Sequence, residues 1–564
     1  MPDAHAAWPG SVPSMRSEAH FGDRVVRCFV DRPKSTHALL ADALVRNPDG
    51  EAIVCGAERL TYREFDAVVA RATAGLAARG IARGDRVGML LGNGTVFPVV
   101  LFAALRLGAV AVPISIREQA PGLAYMLAHC GAKVVVHDAE LVDRLPDARA
   151  APALAHRIAV RPGAPCDQLE LMANAARPVM ARNAGDEAIR EPAAVSGLLR
   201  LARNDDDGDE EDTAVILYTS GTTGRPKGAM LTHLGICHSA MHYECCMAID
   251  QRDRSVIAVP MSHVTGVVAL IATMVRAAAT MIVMPAFKAA DFIALAERER
   301  MTHTLLVPAM YNLCLLEPSF AAADLRSWRV GGFGGAPMPP ATIERFAAKL
   351  PALSLMNAYG ATETTSPATL MPPSQTAARL DSVGRAVPCA EILVMDEAGR
   401  ALPSGQEGEI WMHGPMVAKG YWENEAATAE SFVAGFWRSG DIGSIDADGY
   451  VRVFDRSKDM INRGGYKIYS VEVENALMSH PAVVEAAVVA KPCAVLGERA
   501  HAFVTVTGAG ASAEALTRRC AELLADYKVP DSFTLGAEPL PRNANGKLMK
   551  RQLREELLRS LATK

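Results

Sequence analysis

Segments of helical period alternate with short apolar runs through the first part of this chain, and that alternation restricts the fold more than any other feature. LTYREFDAVVARATAGLAARG (residues 60–80) spaces its apolar residues as a helix does, whereas RVGMLLG (86–92) and AKVVVHD (132–138) are apolar runs of strand length. Strand and helix in turn predict an α/β architecture. VFPVVLFAALRLGAVAVPIS (96–115) comes nearest to a membrane span. Arg106, Gly108 and Pro113 interrupt it, so it reads as a helix followed by a buried strand.

The 564 residues exceed what one hydrophobic core serves, so two or more domains are expected. From Glu391 onward the pattern becomes strand-rich, with EILVMDEAG, GEIWMHG and YVRVFD separated by glycines and acidic turn residues. After Arg456 it shifts again. VEVENALMSH and EALTRRCAELLADY read as helices, VVEAAVVA and AHAFVTVTG as strands, which is enough for a small α+β domain. The expected division is a loose lead-in (1–30), a large N-terminal domain (31–457) with α/β subdomains and a β-rich subdomain, and a small C-terminal α+β domain (458–564). The acidic run NDDDGDEED (204–212) reads as a solvated linker.

Composition narrows the function. A hydrophobic content of 50%, 21% charged residues and a net charge of -5 suit a globular enzyme and offer no general attraction to nucleic acid. The eleven cysteines include no C-x-x-C pair, which argues against a zinc site and for reduced thiols in a cytoplasmic setting. The N-terminus lacks the charged start and apolar core of a signal peptide, and no transmembrane segment is expected. No feature decides the oligomeric state, and a homodimer stays open.

The stretch ILYTSGTTGRPKGAML (216–231) carries the first chemistry. It runs from an apolar strand into a loop of glycines and hydroxyls, in which backbone N–H groups can converge on an anion. Thr219, Ser220, Thr222 and Thr223 add hydroxyl donors around Gly221 and Gly224, and Lys227 adds charge. It is not a G-x-x-x-x-G-K-[ST] phosphate loop. Its bland reading is a surface turn, which would need neither a strand leading in nor four hydroxyls together.

Four further stretches follow it: NAYGATETT (357–365), FWRSGDIG (436–443), FDRSKDMINRGGYKI (454–468) and PRNANGKLMKRQLRE (541–555). In this order the five resemble the adenylate-forming (AMP-binding) enzymes, which include acyl-CoA synthetases, firefly luciferase and peptide-synthetase adenylation domains. The resemblance covers nearly the whole chain. It implies ATP, Mg²⁺ and CoA as cofactors, with the loop holding the β- and γ-phosphates of ATP. Within NAYGATE, next to Asn357, Ala358 and Gly360, Tyr359 offers a flat face for adenine, Thr362 a hydroxyl for phosphate, and Glu363 a hard oxygen for Mg²⁺. By the resemblance Asp441 grips the ribose, with Ser439 where many relatives have threonine, and Arg456 also binds ribose. GGAP (334–337), with Gly335, Ala336 and Pro337, lines the adenine and acyl sites. His263, in VPMSHVTG (259–266), sits at the junction of acyl pocket and pantetheine tunnel. A lone histidine is more often structural, and the motif is what raises a functional role for this one.

The implied reaction is attack of a substrate carboxylate on the α-phosphorus of MgATP, giving an acyl-adenylate and pyrophosphate, then transfer to CoA. Lys547 resembles the lysine that bridges carboxylate and phosphate oxygens in the first step, and it joins His263, Thr222 and Glu363 as the residues at the chemistry. Rotation of the small, mobile domain about Lys458 would follow, with Gly464 and Gly465 lining the pantetheine tunnel. Amino-acid-activating relatives place an aspartate after the histidine. Val264 stands there in this chain and cannot pair with an ammonium group, so an apolar fatty or aryl acid is expected. Loading of a carrier protein and a nucleotide-binding protein without catalysis are the alternatives. The sequence ends 17 residues after Lys547, too few for a fused carrier domain.

Overall fold

A computed structural model describes residues 8–161, 209–219, 225–373, 375–507, 511–542 and 548–562. Among them, two large sheets carry the N-terminal part. The first has six strands in the spatial order Lys227–Thr232, Thr213–Thr219, Val110–Pro113, Arg86–Leu90, Ala132–Asp138, His156–Val160. Its inner pairings are parallel, and Lys227–Thr232 pairs antiparallel at one edge. The second begins as a parallel run: Ser354–Tyr359, Val330–Gly334, His303–Leu306, Arg254–Ile257, Thr280–Val283, Glu51–Cys55. It continues past Ser354–Tyr359 as an antiparallel ribbon through Thr369–Leu370, Gly384–Ala386, Tyr450–Arg456, Phe436–Ile445, Gly408–His413 and Glu391–Met395. This ribbon is the strand-rich region expected after Glu391.

The burial of the helices follows from their composition. Tyr62–Ala77 starts at a capping box, in which the Thr61 hydroxyl accepts from the Glu64 N–H and the Glu64 carboxylate accepts from the Thr61 N–H. Val96–Arg106 is apolar all round, and every residue from Val96 to Leu105 is buried. A helix of that kind must be enclosed on all sides. One core takes in these helices, His233–Met247 and strands of both sheets, with Phe65 and Phe102 edge to face at 5.8 Å. Each such ring contributes about 2–3 kcal/mol by burial.

The small domain has its own sheet, ordered Tyr466–Ile468, Ile461–Arg463, Gly497–Val506, Val483–Cys493, with Ser532–Gly536 beside Gly497–Val506. It also has its own cores. Its described hydrogen bonds to the large part include Tyr469 Oη to the Glu407 carboxylate, 2.7 Å, and the Ser470 N–H to Asp455 Oδ2, 2.5 Å.

Two expectations from sequence are corrected. The lead-in is not loose throughout, because Met15–His20 and Arg24–Phe29 pair as an antiparallel hairpin. Nor is the described end of the acidic run a free linker. Buried Arg32 donates to Glu18 and Glu210, Lys34 pairs with Glu210, and His20 Nδ1 lies 3.0 Å from the Glu211 carboxylate. Arg32 and Glu210 are 178 positions apart, so only the tertiary fold brings these charges together. Glu18, His20 and Cys28 bring metal-ligand atoms within 4.8 Å of one another, but both Glu18 oxygens are committed to arginine. Residues 1–7 and 204–208 lie outside the described residues.

Candidate active site

Thr213–Thr219 and Ser354–Tyr359, one strand from each large sheet, end where two polar clusters form. Crevices at the carboxyl ends of parallel strands are where α/β sheets bind ligands. The first cluster centres on Glu363, buried in the short turn Thr362–Thr364 that follows Ser354–Tyr359. Tyr421 Oη donates to Glu363 Oε1 at 2.9 Å, and Thr219 Oγ1 lies 3.4 Å from the same oxygen. Lys227 is the register partner of Thr219, and its Nζ stands 4.9 Å from the centre of the Tyr421 ring. Ser220, Gly221, Thr222, Thr223 and Gly224 lie outside the described residues, as does Lys547.

The second cluster centres on Asp441. Strand register sets Asp441 opposite Arg456, whose Nε lies 3.0 Å from Asp441 Oδ1. Tyr359 Oη donates to Asp441 Oδ2 at 2.6 Å. Ser439 Oγ accepts from the Asp441 N–H at 2.9 Å and donates to the Ile410 carbonyl at 2.6 Å, so the hydroxyl kept in place of threonine fixes the carboxylate's backbone. Burial, reinforced by Asp441, holds the Tyr359 phenol well above its usual range, and it remains a donor. Burial opposes the charge on Arg456, but Asp441, Tyr359 and Glu363 together raise its pKa. Tyr359, which bonds Asp441, ends its strand just before the turn that carries Glu363, so the two clusters adjoin.

The remaining predicted residues fall into four settings. Asn357, Ala358 and Tyr359 lie on Ser354–Tyr359, which runs parallel to Val330–Gly334, and Gly360 and Thr362 follow it. A Cβ on Gly334 would stand 2.4 Å from the Ala358 carbonyl oxygen, so only glycine fits there, and Gly335, Ala336 and Pro337 follow as a loop. His263 sits just ahead of a π-helical turn, Thr265–Ala272, and its carbonyl accepts from the Val267 N–H at 2.8 Å. Gly464 and Gly465 join neither cluster. They are the two loop residues of the hairpin that pairs Arg463 with Tyr466, with φ of 60° and 92°, as a type I′ turn requires. Lys458 lies exposed in the turn after Arg456, where the Asp459 and Met460 N–H groups both bond the Arg456 carbonyl.

Two residues escaped the sequence reading. Asn93 pins the His263 loop, its Nδ2 donating to the Val259 and Met284 carbonyls and its Oδ1 accepting from the Met261 N–H. Tyr421 touches both Glu363 and Lys227. Its neighbours G-Y-W-E-N carry no signal of that role, because the contact with Glu363 spans 58 positions.

This donor set suits a hard divalent cation: a buried carboxylate whose Oε1 accepts from the Tyr421 hydroxyl, near Lys227 at the start of its strand. Asp441 keeps further acceptor sites beyond the two in use.

A family model of AMP-binding enzymes matches residues 40–422, and one of the AMP-binding enzyme C-terminal domain matches residues 472–547. A long-chain-fatty-acid–CoA ligase of Mycobacterium tuberculosis is 36% identical over 498 residues, 88% of this chain and 93% of that protein. A feruloyl-CoA synthase of an Amycolatopsis species is 33% identical over 509 residues, 90% of this chain and 96% of that one. Among solved structures, the Bacillus subtilis o-succinylbenzoate CoA synthetase with its acyl-adenylate intermediate superposes with a TM-score of 0.77 at 28% identity, covering 92% of this chain and 97% of that one. ATP-bound MatB from Rhodopseudomonas palustris gives a TM-score of 0.79 at 30% identity, covering 93% and 98%.

Proposed function

This chain belongs to the AMP-binding enzyme family, and from that premise we propose how its own residues divide the work of an AMP-forming acid–CoA ligase. The activity has two steps. A substrate carboxylate attacks the α-phosphorus of ATP, forming an acyl-adenylate and releasing pyrophosphate. The thiol of CoA then attacks the acyl carbon, and AMP leaves.

The observation that carries the division of roles is the pair of clusters at adjoining strand ends. Asp441, held by Tyr359 and Arg456, has acceptor sites left for ribose hydroxyls, and the Tyr359 ring offers a face for adenine. Glu363 is the carboxylate for Mg²⁺, with Thr219 and Lys227 beside it at the mouth of the phosphate loop. Mg²⁺ bound there would neutralise charge on the phosphate oxygens. Ser220 to Gly224 supply donors to those oxygens, Lys547 bridges carboxylate and phosphate, and Gly335, Ala336 and Pro337 border adenine and acid. His263 orients the acyl end. The large domain runs to residue 457, and the small domain turns about Lys458 between the steps.

The acid is apolar, fatty or aryl. Val264, the buried apolar turn Thr265–Ala272 and the fatty-acid and feruloyl specificities named for two relatives all support that reading. Among the described residues no helix is long and apolar enough to cross a membrane. A cytoplasmic setting is favoured by the need for ATP and CoA and by ten described free cysteines, eight of them buried. A panel of aliphatic and aromatic acids with ATP, Mg²⁺ and CoA, scored for pyrophosphate and thioester, tests the proposal. Pyrophosphate release with no apolar acid would overturn it.

A further inference from the structure

The segment Ala418–Trp422 lies between the two halves of the phosphate site and bonds to both. The Ala418 N–H donates to the Glu363 carbonyl at 2.8 Å. On its other side the Met230 N–H donates to the Gly420 carbonyl at 2.9 Å, the Lys419 N–H to the Met230 carbonyl at 3.1 Å, and the Trp422 N–H to the Gly228 carbonyl at 2.8 Å. Tyr421 is therefore bridged by its backbone to Ala229, in the strand that Lys227 begins. The N-terminal hairpin adds a brace from behind, with Arg24 donating to the Ala418 and Lys419 carbonyls at 3.1 and 3.2 Å.

We propose that Tyr421 is a positioning residue for the metal-binding carboxylate, its hydroxyl holding Glu363 while its ring seats Lys227. The inference rests on the reading of Glu363 as the Mg²⁺ carboxylate. A bond at 2.9 Å to Oε1 stops rotation of the carboxyl group and presents Oε2 in one direction. Among the described residues no hydrogen bond is made to Oε2. The ring is fixed in turn: Tyr421 is 6% exposed, packs on Phe432 at 5.5 Å, and donates through its N–H to Thr428 Oγ1 at 2.9 Å. A cation held over a tyrosine face at 4.9 Å gains electrostatically from the ring quadrupole. One side chain thus sets the spacing between the cation's carboxylate and the phosphate-loop lysine.

A tyrosine that only fills the core would behave differently on losing its hydroxyl. In the full-length protein, Tyr421→Phe removes the donor and keeps the ring, whereas Tyr421→Leu removes both. Manganese(II) serves as the metal probe, its binding to the ATP-loaded protein read by electron paramagnetic resonance, and AMP affinity in chelator is read by calorimetry. Tyr421→Phe is expected to weaken Mn²⁺ binding about tenfold, the usual scale for a lost outer-shell partner. AMP affinity and the unfolding temperature stay close to wild type. Tyr421→Leu weakens ATP binding further even at saturating metal, because Lys227 loses its seat. Unchanged Mn²⁺ affinity in Tyr421→Phe overturns the proposal, and so does an equal loss of AMP and Mn²⁺ affinity. Wild-type protein that binds ATP with no dependence on Mn²⁺ overturns the assignment of Glu363 itself, a separate and distinguishable failure.

Discussion

Replacing Asp441 by asparagine keeps the shape of the side chain and removes its charge. The carboxylate accepts from Tyr359 Oη at 2.6 Å and pairs with Arg456 Nε at 3.0 Å. An amide satisfies one of these and turns its NH₂ donor toward the other, setting donor against donor. Hydrogen bonds to charged groups contribute about 1.5–3 kcal/mol. A ribose hydroxyl donating to the Asp441 charge is a bond of this kind, so about 2 kcal/mol is the expected cost to nucleotide binding. That corresponds to an increase of about thirtyfold in the KM for ATP and the Kd for AMP. The same free energy spread over a domain of about 400 residues lowers the unfolding temperature by only about 2 °C, so affinity and fold separate cleanly. Pyrophosphate release against ATP concentration, AMP calorimetry and a thermal melt provide the three readings. An ATP KM within about twofold of wild type in a folded variant would refute the assignment, since lost charge at the ribose must weaken binding.

Lys547→Ala is expected to cripple adenylate formation and spare thioester formation from presynthesised acyl-adenylate; equal loss in both half-reactions argues against a lysine that faces the site in one conformation only. Lys458→Pro should retain adenylation and lose thioester formation, because proline restricts φ at a position that must adopt two backbone states. Normal acyl-CoA synthesis by that variant would place the hinge elsewhere. Acid should also destabilise the fold. Burial lowers the pKa of His233 to about 4 and that of His238 to about 3, and His238 cannot gain a proton without losing the bond its Nε2 accepts from the Phe29 N–H. Above pH about 6.5 both are neutral in either state; below it the unfolded chain binds protons that the folded chain refuses, so stability falls by about 1.4 kcal/mol per pH unit for each. Melts at about pH 7.5 and about pH 5.5 check this, and equal unfolding temperatures would contradict it.

The α/β alternation was legible because burial follows local composition. AKVVVHD is the strand Ala132–Asp138, and residues 96–115 divide into the helix Val96–Arg106 and the strand Val110–Pro113, since an unbroken apolar run can only be enclosed. The five ordered motifs identify the family for a similar reason, as each is a short run whose residue types serve one local task. Contacts between remote segments are another matter. Nothing near Arg32 announces Glu210, and nothing in G-Y-W-E-N announces that Tyr421 will meet Glu363 and Lys227. Gly464 and Gly465 read in the sequence as clearance for a thin substrate arm, and strand pairing gives them the separate task of a two-residue turn. Sequence determines which residues can bond, pair or be buried. Which of them do is decided by register and by the packing of two sheets around shared helices, where side chains far apart in the chain come within about 3 Å.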